Sequence, residues 1–158
     1  MQNSRDYWSR MKPAQKLHRF LYAVGLGPVV GRIILLLTTT GRKSGLPRTT
    51  PLQYECIDGN YCLGAARGLQ ADWVRNIQAD PHVSVRVKNL RIVGQAEVIT
   101  DTARIADFLQ VRLQRHPRMV GMMMERIHHV TKTPTREQLE SIAKDEALVI
   151  IREDKKSE

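Results

Sequence analysis

Residues 33–57 read IILLLTTTGRKSGLPRTTPLQYECI. The first eight, IILLLTTT, are aliphatic and β-branched without a polar alternation. Such a run suits a strand buried on both faces. A tight loop follows at Gly41–Pro47, where two glycines and a proline break the run. RTTPLQYECI, residues 48–57, alternates and reads as a single second strand. Asp58-Gly59-Asn60 is a hairpin signal, and YCLGAA continues as a third strand.

The pattern extends outward from this hairpin. QADWVRNIQAD fits a short helix with Trp73, Ile77 and Val74 inward, stopped by Pro81. HVSVRVKN alternates valine with polar residues, and LRIVGQAEVIT pairs back after a turn at Lys88-Asn89. Asp101 or Thr102 caps a helix to Arg115, and His116-Pro117 separates it from another, Arg118 to His129. Thr133 and Pro134 are expected to start a last helix, and ALVII closes as a strand. Upstream, residues 1–12 are expected to form a flexible lead-in, and Leu17, Phe20, Leu21 and Val24 repeat at helical spacing over 13–24. About six strands joined by hairpins, with peripheral helices, indicate an α+β, mainly β fold: an antiparallel barrel over 33–152 in a single domain, 1–158.

The chain has 158 residues, a net charge of +9 and 5% aromatics. A length of this order suits one aliphatic core. The cationic surface favours an anionic partner: nucleic acid, acidic lipid, or a phosphorylated or carboxylated small molecule. Aromatics are too few and dispersed for base stacking, so no specific nucleic acid is expected. Gly25, Gly27, Pro28, Gly31 and Arg32 interrupt the apolar stretch at 20–37, which argues against a membrane span. The first residues lack an apolar core for a signal peptide, so the expected compartment is the cytoplasm. Cys56 and Cys62 fall on adjacent strands as two reduced thiols, and no His/Cys spacing indicates a metal.

The turn after the first strand carries Arg42, Lys43 and Arg48 with Ser44 and Thr40. Arginine clamps a phosphate or carboxylate with paired hydrogen bonds, and lysine adds a mobile charge. Glycines let backbone N–H groups approach such a ligand. The plainer reading is a solvated hairpin tip. It is not a P-loop, because the G-x-x-x-x-G-K-[ST] spacing is absent.

Three stretches in order, LYAVGLGPVVGRIILLLTTTGRKSGLPRTTPLQY, GAARGLQADWVRNIQADPHVSVRV and QRHPRM, resemble the nitroreductase-like family of deazaflavin (coenzyme F420)-dependent oxidoreductases. The resemblance covers residues 20–152 and implies a six-stranded antiparallel split β-barrel with peripheral helices. It implies that Arg42, Lys43, Ser44 and Arg48 bind the coenzyme's phosphate and acidic tail. Ala65, Ala66, Arg67 and Gly68 would meet the deazaflavin ring, and Trp73, Arg75 and Asn76 match the DWxRN helix. The plainer reading of Trp73 is packing, and Asn76 is suited to tie the loop.

The implied activity is hydride transfer from reduced F420 to an electrophilic acceptor such as a quinone, enone or nitro compound. Relatives that reduce nitroaromatics carry tyrosines late in the chain, whereas this chain has none after Tyr61. His128 is therefore the weak candidate for a proton donor, and the plainer reading has His128 and His129 exposed at a helix end. Alternatives are an FMN-binding barrel and a non-enzymatic carrier of an apolar ligand such as a fatty acid. The run MVGMMMERI, 119–127, reads as helix core, with a homodimer or lipid contact as the sharper option. The cations of the 13–24 helix keep a peripheral membrane contact in view.

Overall fold

The computed structural model describes residues 34–155. The lead-in at 1–12 and the helix expected over 13–24 lie outside them. Seven strands form one antiparallel sheet: β1 (Ile34–Thr40), β2 (Pro47–Gln53), β3 (Glu55–Ile57), β4 (Asn60–Ala65), β5 (His82–Val87), β6 (Leu90–Ile99) and β7 (Ala147–Glu153). Their order across the sheet is β2-β1-β5-β6-β7-β4-β3. Among the described residues four α-helices accompany it: α1 (Asp72–Ala79), α2 (Thr102–Arg115), α3 (Pro117–His128) and α4 (Arg136–Ala143).

The count corrects the expected six strands. The segment 48–57 is not one strand, because the chain leaves the ladder at Tyr54 and its two halves pair at opposite edges of the sheet. The sheet curls into a half-barrel, so that β2 meets β4 across the seam. Alternation marks an extended backbone but not its pairing partner, so one alternating run serves both edges.

Two apolar layers flank the sheet. Leu35, Leu37, Leu63, Val85, Val149 and Ile151 face the barrel interior, capped by Val74 and Ile77 of α1. Cys62, Ile99 and Leu148 face outward onto Ile105, Phe108 and Leu109 of α2, Val120 and Met124 of α3, and Leu139 of α4. Leu35, Leu36 and Leu37 are all buried, as the unbroken apolar run predicts. Burial of each contributes on the order of 1.5–3 kcal/mol.

Local chemistry sets the element ends. Asp58 (φ 52°) and Gly59 (φ 77°) form the β3–β4 hairpin turn, and Lys88 (φ 54°) begins the two-residue β5–β6 turn. Asp101 caps α2 by accepting the Arg104 N–H at 2.8 Å. Pro117 opens α3 at a position where its missing N–H costs nothing. The last helix does not start at Thr133-Pro134. Thr135 caps it instead, through a reciprocal pair in which Thr135 Oγ1 accepts the Gln138 N–H and Gln138 Oε1 accepts the Thr135 N–H. In the methionine run, Val120 and Met124 are core, while Met122 and Ile127 face solvent. No helix of the described residues is long and apolar enough to cross a membrane.

Candidate functional site

The strand register gathers the chemistry at one end of the half-barrel. β1 ends there at Thr40, and β5, antiparallel to it, begins there. β6 ends and β7 begins at the same end, with Ile99 opposite Leu148. β4 ends there too, with Ala65 opposite Ala147. The basic turn, the Ala66–Ala71 segment, α1 and the Asp145-Glu146 turn therefore crown a single rim.

The basic turn is built from the backbone outward. Gly41 N–H donates to the Leu46 carbonyl and Gly45 N–H to the Gly41 carbonyl, both at 2.8 Å. Gly45 sits at φ +69°, where a side chain would be strained. Ser44 Oγ accepts the Leu46 N–H at 3.2 Å, so this hydroxyl shapes the turn. The N–H groups of Lys43 and Ser44 have no acceptor among the described residues. Two adjacent unused donors beside cationic side chains suit a phosphate.

Arg42 plays a different part from Lys43 and Arg48. Its guanidinium reaches α1, pairing with Asp72 Oδ1 at 3.0 Å and with Asn76 Oδ1 at 3.0 Å. Its backbone N–H also donates to Asn76 Oδ1, at 3.2 Å. Buried Asn76 in turn donates from Nδ2 to Thr39 Oγ1 at 3.2 Å. Arg42 and Asn76 thus hold the turn in place. Lys43, Arg48 and Arg67 are exposed and form no ion pair among the described residues.

The same helix holds the other segment. Arg75 Nε donates to the Leu69 carbonyl at 3.1 Å, and Arg75 Nη2 to Gln70 Oε1 at 2.6 Å. Gly68 (φ +56°) lies against the Asp145–Glu146 backbone; a Cβ there would stand 2.6 Å from the Asp145 carbonyl oxygen. Ala65 is buried, while Ala66 and Arg67 are exposed at the rim. Trp73 is half-buried and packs on the interior core, in keeping with its plainer reading. Helix α1 therefore brackets the two segments singled out in the sequence. The Asp72–Arg42 pair was not foreseen, although an Asp four residues before Asn76 on one helix face was visible.

His128 is not exposed, which corrects its plainer reading; His129 is. The His128 side chain retains 14% exposure, and its Nε2 lies 3.3 Å from Glu146 Oε1. Burial holds the imidazole below its usual range, and His129 adds to this. Glu146 is buried as well, which pushes its carboxyl up to about 7 against the opposing pull of Arg112. Arg112 donates to Gln53 Oε1 at 2.6 Å and stands 3.9 Å from buried Glu55. Glu55 also meets Arg115 at 3.1 Å and His116 at 3.0 Å. Neither buried glutamate was singled out in the sequence, because alternation does not distinguish a paired charge from a solvated one.

Cys56 is exposed and Cys62 buried, both free; burial first, then Cys56, pushes the Cys62 thiol up to about 11. No three His, Cys, Asp or Glu among the described residues gather as a metal site. A cleft of about 330 Å³, lined by Gln110, Leu113, Lys132, Pro134 and Arg136, opens in the helical layer and not beside the basic turn.

A curled antiparallel sheet with peripheral helices and a cationic turn at one rim is the half-barrel class of fold. The chain belongs to the F420H(2)-dependent quinone reductase family, which its residues 18–127 match. It is 35% identical over 80 residues to an F420H(2)-dependent quinone reductase of Mycobacterium tuberculosis, covering 46% of this chain and 54% of that one. The same identity and coverage hold for a Mycobacterium bovis protein of that description. The chain thus spans about half the length of these curated relatives. Among solved structures, an F420-H2 dependent reductase matches at TM-score 0.52 and 24% identity, over 77% of this chain and 95% of that one. A domain-swapped dimer matches at TM-score 0.53 and 24% identity, over 94% and 100%. These two likenesses concern the fold. The family is described by quinone reduction, not by the nitroreductase-like label of the sequence reading.

Proposed function

We propose that this protein is a split-barrel reductase that binds reduced coenzyme F420 at the rim and passes its hydride to a quinone. Enones and nitro compounds are further acceptors of the same electrophilic character. The observation that carries this reading is the shared rim: the basic turn and the Ala65–Gly68 segment open at one end of the half-barrel, both tied to α1.

The coenzyme is polyanionic and planar, and these residues fit it. Lys43, Arg48 and the Lys43 and Ser44 N–H groups would hold its phosphate and acidic tail. Arg42 and Asn76 would keep that turn in register. Ala66, small and exposed, leaves room for the ring beside it, Arg67 stands at its edge, and buried Ala65 and Gly68 support them from beneath. The bound coenzyme supplies the hydride; the protein orients and stabilises charge. Exposed Leu46 between the cations suits a peripheral contact with the membrane that carries quinones. A homodimer and a cytoplasmic location belong to the same reading.

Titration of the purified protein with F420, followed by tryptophan quenching, tests the proposal. Binding should weaken on Lys43→Ala/Arg48→Ala, with a shallower salt dependence than in the parent. A quinone-reduction assay with F420H2 should show turnover. Tighter binding of FMN than of F420, or extraction of a bound fatty acid without reductase activity, would overturn the assignment in favour of a flavin barrel or a lipid carrier.

A further inference from the structure

Glu146 occupies an unusual place. Its backbone forms part of the peptide on which Gly68 rests, and its carboxyl points away into the helical layer against His128. Among the described residues, the neighbouring charges are as follows. Arg112 approaches from α2 but donates to Gln53 and leans toward Glu55. Glu55 on β3 is met by Arg115 and His116. From α3 comes His128, with His129 at the helix end, and Asp145 precedes Glu146 in the exposed turn. Among the described residues, His128 is the side chain that the Glu146 carboxyl pairs with, Nε2 lying 3.3 Å from Oε1.

We propose that Glu146 and His128 share one proton beneath the Gly68 turn, and that its loss weakens the hold of this rim on an anionic coenzyme. Glu146 is then a positioning residue for coenzyme binding, an inference that rests on the coenzyme reading above. With the proton present, the Glu146 carboxyl donates it to Nε2 of a neutral imidazole. When it leaves to solvent, the imidazole changes tautomer and Nε2–H donates to the carboxylate. The hydrogen bond survives both states, but the second places a buried negative charge under the site. That charge repels a polyanion and strains the peptide that seats Gly68.

The test compares the parent with Glu146→Gln, which keeps the shape and cannot ionise. In the parent, the Gly68 amide resonance should titrate with the midpoint of the Glu146 carboxyl, which burial raises to about 7. In the variant it should stay flat over that range. F420 binding in the parent should weaken roughly two- to fourfold more between pH 6 and 8 than in the variant. The coenzyme's own ionisations act equally on both proteins and cancel in the comparison.

A Gly68 signal indifferent to pH, or identical binding profiles in the two proteins, would overturn the inference. Absence of F420 binding at every pH would remove the coenzyme reading and the proposed grip together. The amide titration distinguishes that failure from failure of the proton pair. If Glu146→Gln does not fold, His128→Gln takes its place: the amide midpoint should then move, and an unmoved midpoint overturns the shared proton.

Discussion

Asn76 Oδ1 accepts two hydrogen bonds from Arg42, one from the backbone N–H at 3.2 Å and one from Nη1 at 3.0 Å. One buried carboxamide therefore fixes both the path of the basic turn and the direction of its first cation. Removing it by Asn76→Ala leaves Thr39 Oγ1 without its donor and frees the turn. Urea unfolding should show a loss of about 1–3 kcal/mol. F420 affinity should fall with it, although Asn76 need not touch the ligand.

The cations of the turn divide into two kinds, and single substitutions should separate them. Lys43→Ala and Arg48→Ala remove exposed charges that form no ion pair among the described residues and should leave stability within about 0.5 kcal/mol of the parent. Their effect should appear in binding and in its salt dependence. Arg42→Ala should lower the unfolding midpoint as well, because it removes the bonds to Asp72 and Asn76.

Gly68 combines a positive φ with a close approach to the Asp145 carbonyl. Gly68→Ala should cost on the order of 1–3 kcal/mol, since both the backbone and the contact must shift. Thermal unfolding measures the cost. The same variant should impair coenzyme binding more than Ala66→Gly, which alters an exposed neighbour.

Glu55 tests the seam. Glu55→Ala leaves buried Arg112 without its carboxylate and should destabilise by about 3–5 kcal/mol. Cys62, buried on β4 opposite Glu55, should then become more accessible to thiol reagents as β3 detaches from β4.

Glu146 should give the fold a pH dependence of defined sign. Its carboxyl holds a proton more tightly when folded, near 7 against an ordinary 4.5. Between those values the native state binds more protons than the unfolded one, so stability falls as pH rises and levels off above 7. The free-energy gap between Glu146→Gln and the parent should move in favour of the variant by up to about 3 kcal/mol from pH 4.5 to 8. His128, held below its usual range, acts in the opposite sense at lower pH in both proteins. Urea titrations at the two pH values check this.

Much of this protein was legible in its residues. The apolar run of β1, the turns at Asp58-Gly59 and Lys88-Asn89, the Asp101 cap and the Pro117 restart depend on neighbours a few positions away. The cationic turn and the motifs that carry the family resemblance were legible for the same reason. Tertiary structure decided what depends on distant partners. It split residues 48–57 between two edges, because extended backbone does not specify its partner. It tied Arg42 to α1 while leaving Lys43 and Arg48 without an ion pair among the described residues, though the three look alike in the sequence. It buried Glu55 and Glu146, because a charged side chain is drawn inside only where folding supplies its counterpart. The antiparallel register alone brought residues 41–46, 65–71 and 145–146 to one rim, since the direction of each strand fixes the end at which its loop emerges.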